Sequence, residues 1–288
     1  MPSLSMVFTA PLKSAPFPDG STNGPAYADP SVTFVVPNHF NPEKPFDIVV
    51  YFHGWATEIA TQYRTGDYDK NQTIWYGLDD QIGGSQRNAL LIAPQLPKKA
   101  NDGQPGKLSK PGAAARLLAE ARDVVANKIS GDAVFAAGFD AAPVIVASYS
   151  GGYQAAACFV APDTGIPKRV KAVFMLDSLY GEKQKDAFVA WIKASGSRSV
   201  FVSLAHDTQT PDNNTWLMSR ELLQAVGGDV NHVPASPPSQ LSIGETLVYR
   251  VMSVNHFKIP VLGPPVGPLT WFLDTLPAIA PATPTPVA

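Results

Sequence analysis

Short apolar, β-branched runs alternate with helical patterns from residue 32 to residue 276, and this predicts an α/β fold with a mostly parallel central sheet. Two further observations agree. Asp47–Phe52 (DIVVYF) is an unbroken apolar run, as a strand covered on both faces requires. The length, 288 residues, suits one large hydrophobic core better than two small ones.

The elements follow in order. Pro, Gly, Ser and Asp crowd the first thirty residues, which read as irregular surface wrapping. Val32–Val36 is a strand stopped by Pro37, Asp47–Phe52 the buried strand, and Ala89–Ala93 another. Pro111 suits a helix's first turn, and Leu117, Leu118, Ala121, Val124 and Val125 form an apolar stripe after it. Val144–Ala147 is a strand running into a small-residue helix, Gly151–Ala161. Val170–Leu176, Ser199–Leu204 and Thr246–Met252 complete the strands; Lys183–Ala194, Thr215–Val226 and Leu269–Leu276 complete the helices. Pro277–Ala288 is rich in Pro, Ala and Thr, the composition of a disordered tail. One domain over 1–276 followed by that tail is the expected organisation.

Composition excludes several functions. Charged residues are 16% of the chain and the net charge is −2, so neither a charge-rich disordered protein nor a basic nucleic-acid arm fits. Cys158 is the only cysteine, which rules out an intramolecular disulfide and any cysteine-based metal site. No apolar run reaches the ~18 residues of a membrane span. Met1–Pro18 lacks the basic start and apolar stretch of a signal peptide, which leaves a cytoplasmic protein or a mature exported form. No Walker loop, dinucleotide fingerprint or HExxH pattern is present, and no cofactor or metal is expected. Asp67-x-Asp69-x-Asn71 resembles the start of a calcium loop but lacks the required glycine. Oligomeric state is left open.

The chemistry concentrates where the strand Val144–Ala147 meets its helix, through Ser148-Tyr149-Ser150-Gly151-Gly152. In the nucleophile elbow G-x-S-x-G, a serine stands on a strained strand-to-helix turn, and its neighbours two places away must be small. Here they are Ser148, a departure from the usual glycine, and Gly152. Ser150 would stand at a helix N-terminus, where free N–H groups favour developing negative charge. Upstream, an apolar strand ends in His53-Gly54-Trp55. Of the five histidines, His39 precedes the core, His53 belongs to that upstream loop, and His206 and His232 precede the last strand. Only His256 follows it.

With these features the chain resembles a serine hydrolase of the α/β-hydrolase superfamily, esterase- or lipase-like, over roughly Val32 to Leu276. The resemblance implies a three-layer sandwich and the chain order nucleophile, acid, histidine. It places the nucleophile at Ser150 and the base at His256. The oxyanion donors would be the N–H of Gly151 and that of Trp55 or Gly54. For the acid, Asp177 ends the strand after the nucleophile helix, and Asp207 follows the next strand; the family uses both positions, and Asp212 is a third choice. Asp177 is favoured because a carboxylate closing an apolar strand is costly without partners.

Only about twenty residues separate Asp177 from the next strand, enough for one helix and too few for a large cap domain. The longer insertion, Ala56–Asn88, could overhang the site, with Trp55, Trp75, Tyr76, Tyr149 and Tyr180 as candidate aromatic lining; Tyr149 and Tyr180 are the substrate-contact candidates. The expected reaction is hydrolysis of carboxylic esters, bulky or polymeric ones included, through an acyl-enzyme. A serine amidase or peptidase of the same fold and an inactive binding protein are the rival readings.

Overall fold

The computed structural model describes residues 5–64, 76–129, 133–206, 215–230, 238–251, 256–261 and 267–278. Its strands are β1 (Met6–Pro11), β2 (Ser31–Val36), β3 (Asp47–Phe52), β4 (Ala89–Pro94), β5 (Val144–Tyr149), β6 (Val170–Leu176), β7 (Val200–His206) and β8 (Thr246–Val251). They form a single sheet in the order β1-β2-β4-β3-β5-β6-β7-β8. β1 and β2 run antiparallel to their neighbours, and every pairing from β4 to β8 is parallel. The helices are α1 (Ile59–Gln62), α2 (Leu78–Gly84), α3 (Ala113–Lys128), α4 (Ala133–Ala141), α5 (Tyr153–Val160), α6 (Glu182–Ser195), α7 (Thr215–Ala225) and α8 (Pro268–Thr275).

Strand alternation divides the core into two apolar layers. Ile48, Val50, Phe52, Val144 and Val146 face Leu117 of α3, Phe135 of α4, Phe159 of α5 and Phe188 of α6. Val49, Tyr51, Ile145, Ala147 and Tyr149 face Ile59, Leu78 and Ile82 on one side of the chain's insertion and Phe272 and Leu273 of α8. Helices therefore cover both faces, which is why β3 and β5 carry no exposed residue and read as continuous apolar runs.

Several elements depart from expectation. Residues 6–11 are not irregular wrapping but an edge strand, with Met6 opposite Val36 and Pro11 opposite Ser31. α1, α2 and α4 are helices that the pattern does not announce; α4 is apolar nearly all round, so its sequence carries little helical stripe. α3 starts at Ala113, with Gly112 in the left-handed region before it, so Pro111 lies in the preceding turn. Between β6 and β7 stand only α6 and a short turn, and no cap domain is inserted there. Of the tail, Pro277 and Ala278 are described; residues 279–288, Trp75 and the Asp67-x-Asp69-x-Asn71 segment lie outside the described residues. Among the described residues, no helix is long and apolar enough to cross a membrane.

Arg87 locks the end of the chain to the sheet. Its Nε donates to Asp47 Oδ2 at the start of β3 (2.5 Å), while Nη1 and Nη2 reach the carbonyls of Leu273, Leu276 and Pro277. Burial pushes the Asp47 carboxyl up, and Arg87 partly offsets that. Removing one partner of a buried pair strands the other charge, so Arg87→Met is expected to lower unfolding free energy by about 3 kcal/mol in chemical denaturation. A loss below about 1 kcal/mol would show that the clamp is not structural.

Candidate active site

β5 delivers its last residue to a sharp bend. Tyr149 is still extended, Ser150 has φ +50°, and α5 begins three residues later. A non-glycine residue in the left-handed region costs on the order of 1–3 kcal/mol and must be held there by its surroundings. The bend needs room beside it. A Cβ on Gly152 would stand 2.3 Å from the Phe52 carbonyl oxygen, and one on Gly54 2.9 Å from Ser150 Cβ. At Ser148, where the elbow motif has glycine, a fully buried hydroxyl is accommodated because it is satisfied. Ser148 Oγ lies 2.9 Å from Ser178 Oγ and 3.3 Å from Met175 Sδ, and the Ser178 hydroxyl donates to the Ser150 carbonyl (2.8 Å).

The bend directs the Ser150 hydroxyl at His256. Its Oγ donates to His256 Nε2 at 3.0 Å, and His256 Nδ1–H donates to Asp177 Oδ2 at 2.5 Å. The carboxylate can only accept, which fixes the imidazole tautomer. Asp177 follows β6, also with positive φ (+46°), and is 2% exposed. Its other oxygen, Oδ1, accepts from the His206 N–H (2.9 Å) at the end of β7 and from the Thr215 hydroxyl at the start of α7. The buried carboxylate therefore has donors from three separate parts of the chain, which answers the cost of burying it. The structure thus brings Ser150, His256 and Asp177 together; Asp207, Asp212 and His232 lie outside the described residues.

The loop after β3 faces the same bend. The Gly54 N–H is directed at the Tyr76 hydroxyl, and the Ala56 N–H donates to the Ala100 carbonyl (2.8 Å). Both of these N–H groups are thus engaged within the protein. The Trp55 indole, 46% exposed, lies over Gly151, where an added Cβ would meet its ring at 2.3 Å.

Tyr180 and Tyr149 fare differently. Tyr180 is half-buried, its ring against Tyr153 (5.7 Å) and its hydroxyl toward the Ser150 side chain. Burial first, then the charge of Asp177, pushes its phenol well up, so it stays a donor. Tyr149 has no exposed surface. As the third of the inward residues Ile145, Ala147 and Tyr149, it points beneath the site, and the expectation that it contacts substrate is corrected. Ser178 and Thr215 were missed; each acts through contacts between distant segments that no local motif announces. Among the described residues no group of three His, Cys, Asp or Glu side chains could hold a metal. Burial pushes the Cys158 thiol up to about 11, so it is not a thiolate at neutral pH.

No protein-family model matches the chain, and no curated protein matches it in sequence. Solved structures do. A mutant of the feruloyl esterase module from Clostridium thermocellum, complexed with sinapinate, aligns over 96% of this chain and 90% of its own, at 12% identity and a TM-score of 0.53. A protein designated FAE aligns over 96% and 88%, at 12% identity and a TM-score of 0.50. The chain has the α/β-hydrolase fold. In this fold the strands' carboxyl ends carry the site, and Ser150 and Asp177 follow the carboxyl ends of β5 and β6 here.

His53 braces the loop after β3. Its Nδ1–H donates to the Gly54 carbonyl (2.7 Å), and its Nε2 accepts from the Leu96 N–H (2.8 Å) and faces Gln95 Nε2 (2.9 Å). Burial drives its pKa from the ordinary 6.5 down to about 4, partly offset by the bond to Gly54. Below pH 6.5 the unfolded chain takes up a proton that the folded chain refuses until about pH 4. This contribution to stability is whole above pH 6.5, is lost as pH falls across that window, and changes no further below it. The full loss is about 3 kcal/mol. Thermal melts from pH 7 to pH 4 are expected to show a falling midpoint whose slope flattens in His53→Asn; identical slopes would contradict the neutral, buried imidazole.

Proposed function

We propose that the protein is a serine hydrolase that cleaves carboxylic esters through an acyl-enzyme. The observation that carries this reading is the hydrogen-bonded line from Ser150 through His256 to Asp177, with Ser150 held at positive φ before a helix N-terminus. His256 takes the Ser150 proton as Oγ attacks the carbonyl carbon, and Asp177 steadies the imidazolium that forms. The N–H groups of Gly151 and Trp55 receive the developing oxyanion, each worth about 3 kcal/mol. His256 then protonates the leaving alcohol, and water, deprotonated by the same histidine, hydrolyses the acyl-enzyme.

The substrate reading is a bulky ester, with an aromatic or polymeric component. It is supported by the exposed Trp55 indole beside Gly151, the Tyr180 and Tyr153 rings on the α5–α6 side, and the absence of a cap between β6 and β7. The fold's likeness to a feruloyl esterase module agrees with it.

A panel of p-nitrophenyl esters of acetate, longer acyl chains and an aromatic acid, with matched anilides, tests the reaction class. Ser150→Ala is expected to lose at least about 10⁴-fold in kcat with its fold intact. Asp177→Asn is expected to lose about 10⁴-fold, the cost of the wrong imidazole tautomer. Full activity in Ser150→Ala overturns the reading, and preference for anilides over esters transfers it to an amidase. Trp55→Ala is expected to raise KM for the aromatic ester more than for acetate; equal effects would remove the indole from the substrate site.

A further inference from the structure

Tyr149 is fully buried beneath the candidate base. It directly precedes Ser150, and its ring stacks on the His256 imidazole, with centroids 4.9 Å apart and planes 23° from parallel. Its hydroxyl donates to the His256 carbonyl at 3.2 Å. Its other side meets Tyr76 edge-on at 5.7 Å. The Tyr76 hydroxyl in turn lies 2.6 Å from Thr57 Oγ1, and the Thr57 hydroxyl donates to the Trp55 carbonyl (3.1 Å). Since Thr57 has one proton and gives it to Trp55, Tyr76 is the donor to Thr57 and is free to accept from the Gly54 N–H. The peptide groups of the loop after β3 are thus tied to a tyrosine that packs against the one beneath the base.

We propose that Tyr149 is a positioning residue for His256: its ring sets the plane of the imidazole. The inference rests on the hydrolase reading above. The intrinsic χ2 torsion of a histidine has a broad well, so the torsion alone does not set the ring plane, and what packs against the ring face adds to the hydrogen bonds at its two nitrogens. A flat ring against the imidazole face opposes its rotation directly. The Phe257 ring meets His256 only at 67°, so it does not duplicate this contact. The contact also has a sign that matters for the reaction. The face of an aromatic ring attracts a cation, and in the proposed reaction His256 takes the Ser150 proton and with it a positive charge. The stack is therefore worth more in the transition state than in the resting enzyme, and its loss belongs in kcat rather than in KM.

The test is steady-state kinetics of the full-length protein on a soluble p-nitrophenyl ester, comparing Tyr149→Leu and Tyr149→Phe with Ser150→Ala. Tyr149→Leu is expected to lower kcat about 10- to 100-fold with KM within about twofold. Tyr149→Phe keeps the ring and is expected to retain kcat within about threefold. If Tyr149→Leu fails to fold, judged by thermal melting, Tyr149→Met fills the space with an adaptable side chain and carries the same expectation. A folded Leu or Met variant with unchanged kcat overturns the proposal, as does a loss confined to KM or an equal kcat loss in Tyr149→Phe. Failure of the hydrolase reading itself reads differently: Ser150→Ala would then be as active as the parent.

Discussion

A carboxylate buried at the end of β6 organises this site. At 2% exposure the Asp177 side chain is satisfied because the His206 N–H, the Thr215 hydroxyl and His256 Nδ1–H converge on it. Those donors come from the end of β7, the start of α7 and the segment after β8, so satisfying one charge fixes where three connections close over the sheet. The imidazole is thereby presented to Ser150 with a single tautomer and a single reacting nitrogen. The His256 side chain is 25% exposed, whereas that of Asp177 is 2% exposed.

The same economy appears in the backbone. β5 and β6 are each followed directly by a residue with positive φ, Ser150 and Asp177, at the carboxyl edge of neighbouring strands. Such strain persists only where the surroundings over-determine it. Here the Ser148–Ser178 pair does so, since Ser178 follows Asp177 and donates to the Ser150 carbonyl, tying one bend to the other. The hydroxyl at Ser148 is therefore a structural part of the elbow, in place of the glycine expected at that position.

The fold and the centre of the site were legible because they depend on local pattern. Doubly covered strands must be continuously apolar, and β3 and β5 are. Ser150 and His256 followed from chain order and from a serine between small residues. The acid could not be settled from sequence, because β6 and β7 are both followed by an aspartate near their ends and nothing local says which one the histidine meets. β1 was hidden by its edge position: it is only partly buried and closes on Pro11, so neither apolar continuity nor clean alternation marks it. The role of Tyr149 was misjudged for a physical reason as well. A motif places a residue next to the nucleophile, but the two-residue period of β5 decides its face, and that face is the core.

The proposed chemistry requires Ser150 to be an activated nucleophile. Covalent labelling with a fluorophosphonate, followed by peptide mass spectrometry, measures this without any choice of substrate. One adduct is expected, on Ser150, with its rate of formation collapsing in His256→Ala. Folded protein that takes up no label at Ser150, or that is labelled there equally fast without His256, would contradict the account.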